Sequence, residues 1–326
     1  MKITYAQGIA MALTEALAAD PNVLMIGSGF MGLSPSARDL LNPLLRDYPE
    51  RIFVTPISEL GLAGAAIGAA ACGQRPVVDL GTGSFILEAF AQVVNEAANI
   101  HYMTGGQTTV PVTFFSLAGI RGAGAAQHSG RMQAMLGNTP GLQVLAPGAA
   151  DDAYGLLKWA LLESRNPSVF LAHSLIFDDS SDIVRGEPML PVGKARIRRE
   201  GKDVTIVASS IMVPRALAAA EALARDSNVS AEVLDLRTIV PLDRAAIIAS
   251  VAKTGRAVIA DECPYSFGVA AEIAATLAEH AFAHLKAPVL RVAVPDVPIP
   301  FSPPLEAELI VTSEKIAAAA AGLVKR

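Results

Sequence analysis

The chain has 326 residues, 52% of them hydrophobic, with 26 basic and 31 acidic side chains and a net charge of −5. This is enough chain for about two domains with sizeable cores, and the mildly acidic balance excludes a protein built around a basic track for nucleic acid. Its apolar runs, such as residues 63–71, are rich in glycine and shorter than the roughly 20 helical residues needed to cross a bilayer, so no membrane association is expected.

The two cysteines, Cys72 and Cys263, lack any metal-like CxxC spacing, which points to a reducing compartment and no structural zinc. Met1-Lys2-Ile3-Thr4 leads straight into a helical pattern without the charged and apolar tracts of a signal peptide, so cytoplasmic residence is expected. The abundant alanine and glycine suit helices packed at close range and a large subunit contact rather than a monomer.

In chain order, the first helix is predicted over residues 5–19, ending at Asp20-Pro21, and Val23-Leu24-Met25-Ile26 reads as a buried strand closed by Gly27. A helix over 37–46, the strand Ile52-Phe53-Val54, an alanine-rich helix from Glu59 and the strand Pro76-Val77-Val78-Asp79-Leu80 continue the alternation. One long helix over 86–102 and a strand at 112–115 follow. A glycine-rich loop, Gly119-Ile120-Arg121-Gly122-Ala123-Gly124, then leads to Gln127-His128-Ser129. A strand at 142–146, a helix to about 163 capped by Asp151 or Asp152, and a strand at 167–172 complete a parallel-sheet α/β domain over residues 1–178. The polar, proline-bearing segment 179–198 reads as a linker. A second, smaller α/β domain over 199–326 is predicted from strands at 204–208, 230–236, 256–260 and 289–292. Helices lie between these strands, and a last helix spans 313–323.

The most informative segment is Thr55-Pro56-Ile57-Ser58-Glu59 followed by Gly61-Leu62-Ala63-Gly64-Ala65-Ala66-Ile67-Gly68. It sets one carboxylate at the mouth of a helix of small residues, directly after a strand. Such a carboxylate can hold a heteroaromatic nitrogen, although an acid in a first helical turn also complements the helix N-terminus without any further role. His128 follows a loop whose glycines let backbone approach a ligand closely and aim an imidazole at it; a histidine hydrogen-bonded beside a turn is the alternative. Arg121 can grip a carboxylate with its planar fork, or lie on the surface.

Several of these segments together resemble the beta subunit of thiamine-diphosphate-dependent 2-oxoacid dehydrogenases and acetoin dehydrogenases. They are Thr55-Pro56-Ile57-Ser58-Glu59, Arg75-Pro76-Val77-Val78, Tyr102-Met103-Thr104-Gly105-Gly106-Gln107, Gln127-His128-Ser129, Pro140-Gly141-Leu142, Asp235-Leu236-Arg237-Thr238, Val240-Pro241-Leu242-Asp243 and Pro295-Asp296-Val297-Pro298. The resemblance spans nearly the whole chain. It implies a transketolase-like pyrimidine-binding domain followed by a transketolase C-terminal domain. It further implies thiamine diphosphate as cofactor, with Glu59 sharing a proton with the aminopyrimidine ring, Phe85 packing on that ring, and Ser28 and Ile57 beside it. His128 would face the substrate, with Gln127 and Arg121 as further substrate candidates. The reaction implied is oxidative decarboxylation of pyruvate or a related 2-oxoacid with acyl transfer to a lipoyl group; acetoin cleavage and two-carbon transfer of the transketolase type are the alternatives.

No Gly-Asp-Gly with a distant Asn, the family's magnesium and diphosphate cradle, occurs here, so the resemblance implies an alpha subunit that holds Mg2+ and the diphosphate. An alpha2-beta2 heterotetramer with a beta–beta contact, docking on a lipoyl acyltransferase core, is the assembly implied. Two departures from the family pattern stand out. Its Gly-Glu-Asp is Gly27-Ser28-Gly29 here, and its Phe-Asp-Gln is Phe90-Ala91-Gln92. Each removes a carboxylate, which implies an altered proton relay between active sites. A dinucleotide-binding reading of residues 119–124 fails because the glycine spacing is not that of the fingerprint.

Overall fold

The computed structural model describes residues 1–27, 29–32, 34–183 and 190–325. The chain divides into two compact units, one made of Met1–Gly119 and Met135–Met189, the other of Ile120–Ala134 and Leu190–Arg326.

The elements up to residue 183 are β1 (Lys2–Thr4), α1 (Tyr5–Ala19), β2 (Val23–Ile26), α2 (Pro35–Asp47), β3 (Ile52–Phe53), α3 (Glu59–Ala71), β4 (Arg75–Thr82), α4 (Ala98–Met103), β5 (Thr113–Leu117), α5 (Gln133–Gly137), β6 (Gln143–Leu145), α6 (Ala150–Leu162), β7 (Ser168–Ala172) and β8 (Ser180–Asp182). In the first unit β6, β7, β5, β4, β2 and β3 lie side by side in that order and run parallel. Strands covered on both faces read as continuous apolar runs, and β2 and β7 are buried at every position. Thr4 ends β1 and opens α1 with a capping box: its hydroxyl accepts from Gln7 N at 3.2 Å and its own N–H donates to Gln7 Oε1 at 2.9 Å. A Cβ at Gly8 would stand 2.7 Å from Ala150 O, so this glycine lets α1 lie closely against α6.

Local details depart from the sequence-based expectation. The N-terminal residues pair antiparallel with Ser180–Asp182, so a strand lies inside the stretch read as linker. Ala149, not Asp151 or Asp152, is the N-cap of α6; both acids sit in its first turn, where their charge complements the unpaired amides. The expected long helix over 86–102 is three pieces: a 3-10 segment Gly83–Ala89, a π segment Ala91–Ala97, and α4. Asn99 Nδ2 donates to the carbonyls of Val94 and Asn95 at 3.2 and 3.0 Å, taking up acceptors within the wider turn. Apolar periodicity over so few residues does not separate these helical windings.

The second unit contains β9 (Arg196–Arg199), β10 (Val204–Ala208), α7 (Met212–Ser227), β11 (Ala231–Asp235), β12 (Thr238–Val240), α8 (Arg244–Thr254), β13 (Ala257–Pro264), α9 (Val269–His280), β14 (Leu290–Val294), α10 (Pro303–Leu309) and α11 (Ser313–Val324). Its sheet has the order β14-β13-β10-β11-β9, parallel except for the edge strand β9. Arg237 is fully buried with a left-handed backbone (φ 61°). Its guanidinium donates to the carbonyls of Leu190, Pro191 and Lys194 at 3.0, 3.1 and 2.6 Å. The side chain therefore gathers the segment that enters the unit, where a buried charge must meet polar partners. Replacing Arg237 with Met removes the donors of all three carbonyls. The expected loss is about 2 kcal/mol or more of unfolding free energy, read as a lowered urea midpoint; an unchanged midpoint would show that the contacts contribute nothing.

Candidate active site

In open parallel sheets ligands gather outside the carboxyl ends of the strands, at the point where the strand order reverses. In the first unit that point falls between β2 and β4, because the chain passes from β2 outward to β3 and then returns to β4 on the other side of β2. A cavity of about 200 Å3 opens there, lined by Gly27 and Gly29 after β2, residues 55–58 between β3 and α3, Glu59 and Leu62 in the first turn of α3, Asp79, Leu80 and Gly81 at the end of β4, and Phe85 just beyond it.

Glu59, Ile57 and Phe85 are thus brought to one cavity. Glu59 opens α3 behind Ser58, whose side chain makes no capping bond, and its carboxylate complements the unpaired amides of that helix end. It is half-buried rather than sealed from water. Ile57 is 81% exposed, an apolar side chain left standing at the rim. Ser28 lies outside the described residues. Thr55 Oγ1, in the same lining, is buried and without a hydrogen-bond partner.

One member of this wall escaped the sequence analysis. Asp79 was legible only as a polar residue within a strand, yet its carboxylate lines the cavity together with Glu59. Oδ2 accepts from Gly29 N at 2.5 Å and Oδ1 from Gly81 N at 2.8 Å. Burial pushes the Asp79 carboxyl above the ordinary carboxylate range; the two amide bonds pull it back, and the nearby charge of Glu59 adds to the rise. The signal that could have found it is an acid placed two residues before a glycine at the end of an otherwise apolar strand.

Arg121, Gln127 and His128 lie on the segment Ile120–Ala134, which belongs to the second unit. His128 and Gln127 are exposed and Arg121 half-buried. Arg121 Nε donates to the carbonyl of His128 at 3.2 Å, so Arg121 braces the loop that presents the imidazole. Ala123 and Ala125 both adopt left-handed backbone (φ 52° each), a cost of order 1–3 kcal/mol per residue that persists only where the surroundings impose it. The segment is tied to β13: Ile120 N donates to Glu262 Oε1 at 3.0 Å, and Cys263 Sγ lies 3.6 Å from Gln133 Oε1. Glu262 is a second residue that sequence reasoning missed. His173 is buried, and its Nδ1 accepts from Leu175 N at 3.3 Å, a local structural bond.

A cavity of about 200 Å3 is smaller than the roughly 300–1,000 Å3 of a complete small-molecule site. It has room for part of a cofactor: a flat heteroaromatic ring beside Phe85, with a carboxylate and an orphan hydroxyl for its polar edge. The lining fits an aminopyrimidine. Among the described residues no group of three or more His, Cys, Asp or Glu side chains is placed to hold a metal ion, and no helix is long and apolar enough to cross a membrane.

Comparison with known proteins supplies the class. Residues 1–176 match the transketolase pyrimidine binding domain and residues 193–316 the transketolase C-terminal domain. A split-gene transketolase, described as an inactive beta4 tetramer, superposes with a TM-score of 0.79 at 25% identity over 99% of this chain and 98% of that one. Leishmania mexicana transketolase shares the fold, with a TM-score of 0.74 at 18% identity over all of this chain and 46% of the other. Within that class, the pyruvate dehydrogenase E1 component subunit beta-1 of Arabidopsis thaliana is 44% identical over 94% of this chain and 85% of its own length. The Rickettsia felis pyruvate dehydrogenase E1 component subunit beta is 41% identical over 94% and 93%. The chain belongs to the transketolase-like family of pyruvate dehydrogenase E1 beta subunits.

The raised Asp79 titration has a sign that can be tested. A carboxyl that binds its proton more tightly folded than unfolded contributes stability that is fully present below the ordinary carboxylate range and is lost as pH rises through the raised folded value. Denaturant unfolding of the wild type and of Asp79→Asn across that range should therefore differ in slope, with the variant flatter. Parallel curves would show that Asp79 is not perturbed.

Proposed function

We propose that this chain is the beta subunit of a thiamine-diphosphate-dependent 2-oxoacid dehydrogenase that takes pyruvate or a close 2-oxoacid and passes the acyl group to a lipoyl acceptor. The observation that carries the reading is the meeting of Glu59, Phe85 and orphan Thr55 Oγ1 in one cavity at the switch point of a parallel sheet. The family to which the chain belongs supports the cofactor. When bound, thiamine diphosphate would supply a nucleophilic carbon for the 2-oxoacid carbonyl and a sink for the electrons of decarboxylation.

The chain's own residues prepare that chemistry. Glu59 shares a proton with the ring nitrogen of the aminopyrimidine, and its place at the first turn of α3 fixes the direction from which the carboxyl approaches. Phe85 offers a face on which the ring packs. His128, presented by a strained loop braced by Arg121, acts on the substrate side by donating a proton to the oxygen that gains charge, and Gln127 stands beside it.

The diphosphate and Mg2+ belong to an alpha subunit in this reading, and an alpha2-beta2 assembly with a beta–beta contact would work beside a lipoyl acyltransferase core in the cytoplasm. Support for association comes from α3. A Cβ at Gly64 or Gly68 would meet no atom within 4 Å, so one face of that helix is open, and Phe53, Val54, Ile57 and Leu60 nearby are exposed. Exposed apolar side chains gathered within a short stretch of chain beside an open helix face suit a protein contact.

Two substitutions test the assignment in the chain co-expressed with its alpha subunit. Glu59→Gln should keep assembly and cofactor binding but slow hydrogen–deuterium exchange at C2 of bound thiamine diphosphate by about 10²–10⁴-fold, the range for loss of a positioned acid–base group. An unchanged exchange rate would remove the role given to Glu59. His128→Ala should lower kcat with 2-oxoacid by roughly 10²-fold while cofactor affinity stays within a factor of about three. Loss of affinity in step with kcat would instead make His128 a cofactor-holding residue.

A further inference from the structure

The sequence that follows β2, Gly27-Ser28-Gly29, lacks the acids of the family's Gly-Glu-Asp. The structure places a carboxylate there all the same, carried not by that turn but by the neighbouring strand. β2 and β4 run parallel with Ile26 opposite Val78, so the next residues along, Gly27 and Asp79, face each other at the mouth of the cavity. A Cβ on Gly27, whose φ is 115°, would come within 2.9 Å of Asp79 Cβ, and a Cβ on Gly29 would overlap Asp79 Oδ2 outright. The two glycines are the space into which Asp79 fits. The carboxylate uses that space to take the Gly29 amide with one oxygen and the Gly81 amide with the other.

We propose that Asp79 is a positioning residue for the thiamine-binding cavity: it clamps the turn after β2 to the turn after β4 and so sets the separation of the two walls between which Glu59 and Phe85 work. The clamp spans positions from two different strands, and both of its bonds are to backbone, so it is independent of what side chain occupies position 28. Gly81 is held in a left-handed conformation (φ 66°), and a Cβ there would lie 3.6 Å from Phe85 Cδ2. Movement of that turn is therefore felt at the aromatic ring. Bonds from backbone amides to an ionised carboxylate are stronger than neutral ones and fix geometry accordingly. The effect on Glu59 is exerted through the cavity wall, without contact with the reacting atoms.

The inference rests on the thiamine reading of this cavity, and its test separates the two. Asparagine at 79 keeps the volume but has one acceptor oxygen; its amide group meets the second N–H donor to donor. Gly29→Ala leaves Asp79 in place and expels its carboxylate by overlap. In the cofactor-free complex, backbone amide hydrogen exchange over the peptides containing Gly29 and Gly81 should speed up by about tenfold or more in both Asp79→Asn and Gly29→Ala. In the loaded complex, C2 exchange per bound cofactor should fall by about tenfold or more in both, with a weaker dissociation constant by calorimetry. Unchanged amide exchange would overturn the clamp. Faster amide exchange with intact C2 exchange per bound cofactor would overturn the positioning role, and failure of both variants to assemble would assign the carboxylate to folding instead. A wild-type complex that does not bind thiamine diphosphate, or a Glu59→Gln variant with unaltered C2 exchange, would sink the underlying reading rather than the clamp, which the amide exchange tests by itself.

Discussion

The parallel pairing of β2 with β4 is the constraint from which the site follows. Its register sets the end of one strand beside the end of the other, so that two turns meet where the chain reverses its direction of travel through the sheet. The carboxylate of Asp79 bridges these turns, and Glu59 enters the same cavity from the helix that follows β3. A parallel sheet buried on both faces resists sliding, because a slip of one residue would turn every side chain of the strand to the opposite face, into packing shaped for other side chains. The rigidity of the core is thereby passed to side chains that stand partly in water.

The two units carry different candidate side chains. The first holds a ring and a carboxylate; the second carries an imidazole on a loop with two left-handed alanines, in a segment tied at its ends to Glu262 and Cys263. Strain stored in a loop and opposed by buried anchors is a means of presenting an exposed side chain in one direction. The buried staple of Arg237 serves a different end, since it secures the chain's entry into the unit.

Much of this could be read from the sequence, and the reasons differ by element. Buried strands such as β2, β7 and β10 announce themselves as short apolar runs, and α1 is bounded by Thr4 with Gln7 at one end and Asp20-Pro21 at the other. Glu59 was visible because the small-residue helix after it is unusual, and its neighbours Ile57 and Phe85 came with the family resemblance. Asp79 and Glu262 were not visible. Each is an acid at the end of an apolar strand, and what makes it matter is a backbone amide from a distant part of the chain, Gly29 in one case and Ile120 in the other. The winding of residues 83–103 was hidden for a related reason: 3-10, π and α turns share the same composition, and only the partners of the carbonyls decide between them.

The open face of α3 bears on how the chain tolerates change. Glycine weakens a helix interior by about 0.5–1 kcal/mol relative to alanine, and neither Gly64 nor Gly68 is needed to clear any neighbour within the chain. Larger side chains at these positions should therefore make the solitary subunit sturdier while thickening the surface that another helix would have to approach. A search for hardier versions of this polypeptide on its own would favour such changes and, in the proposed assembly, would do so at the expense of the partner's approach.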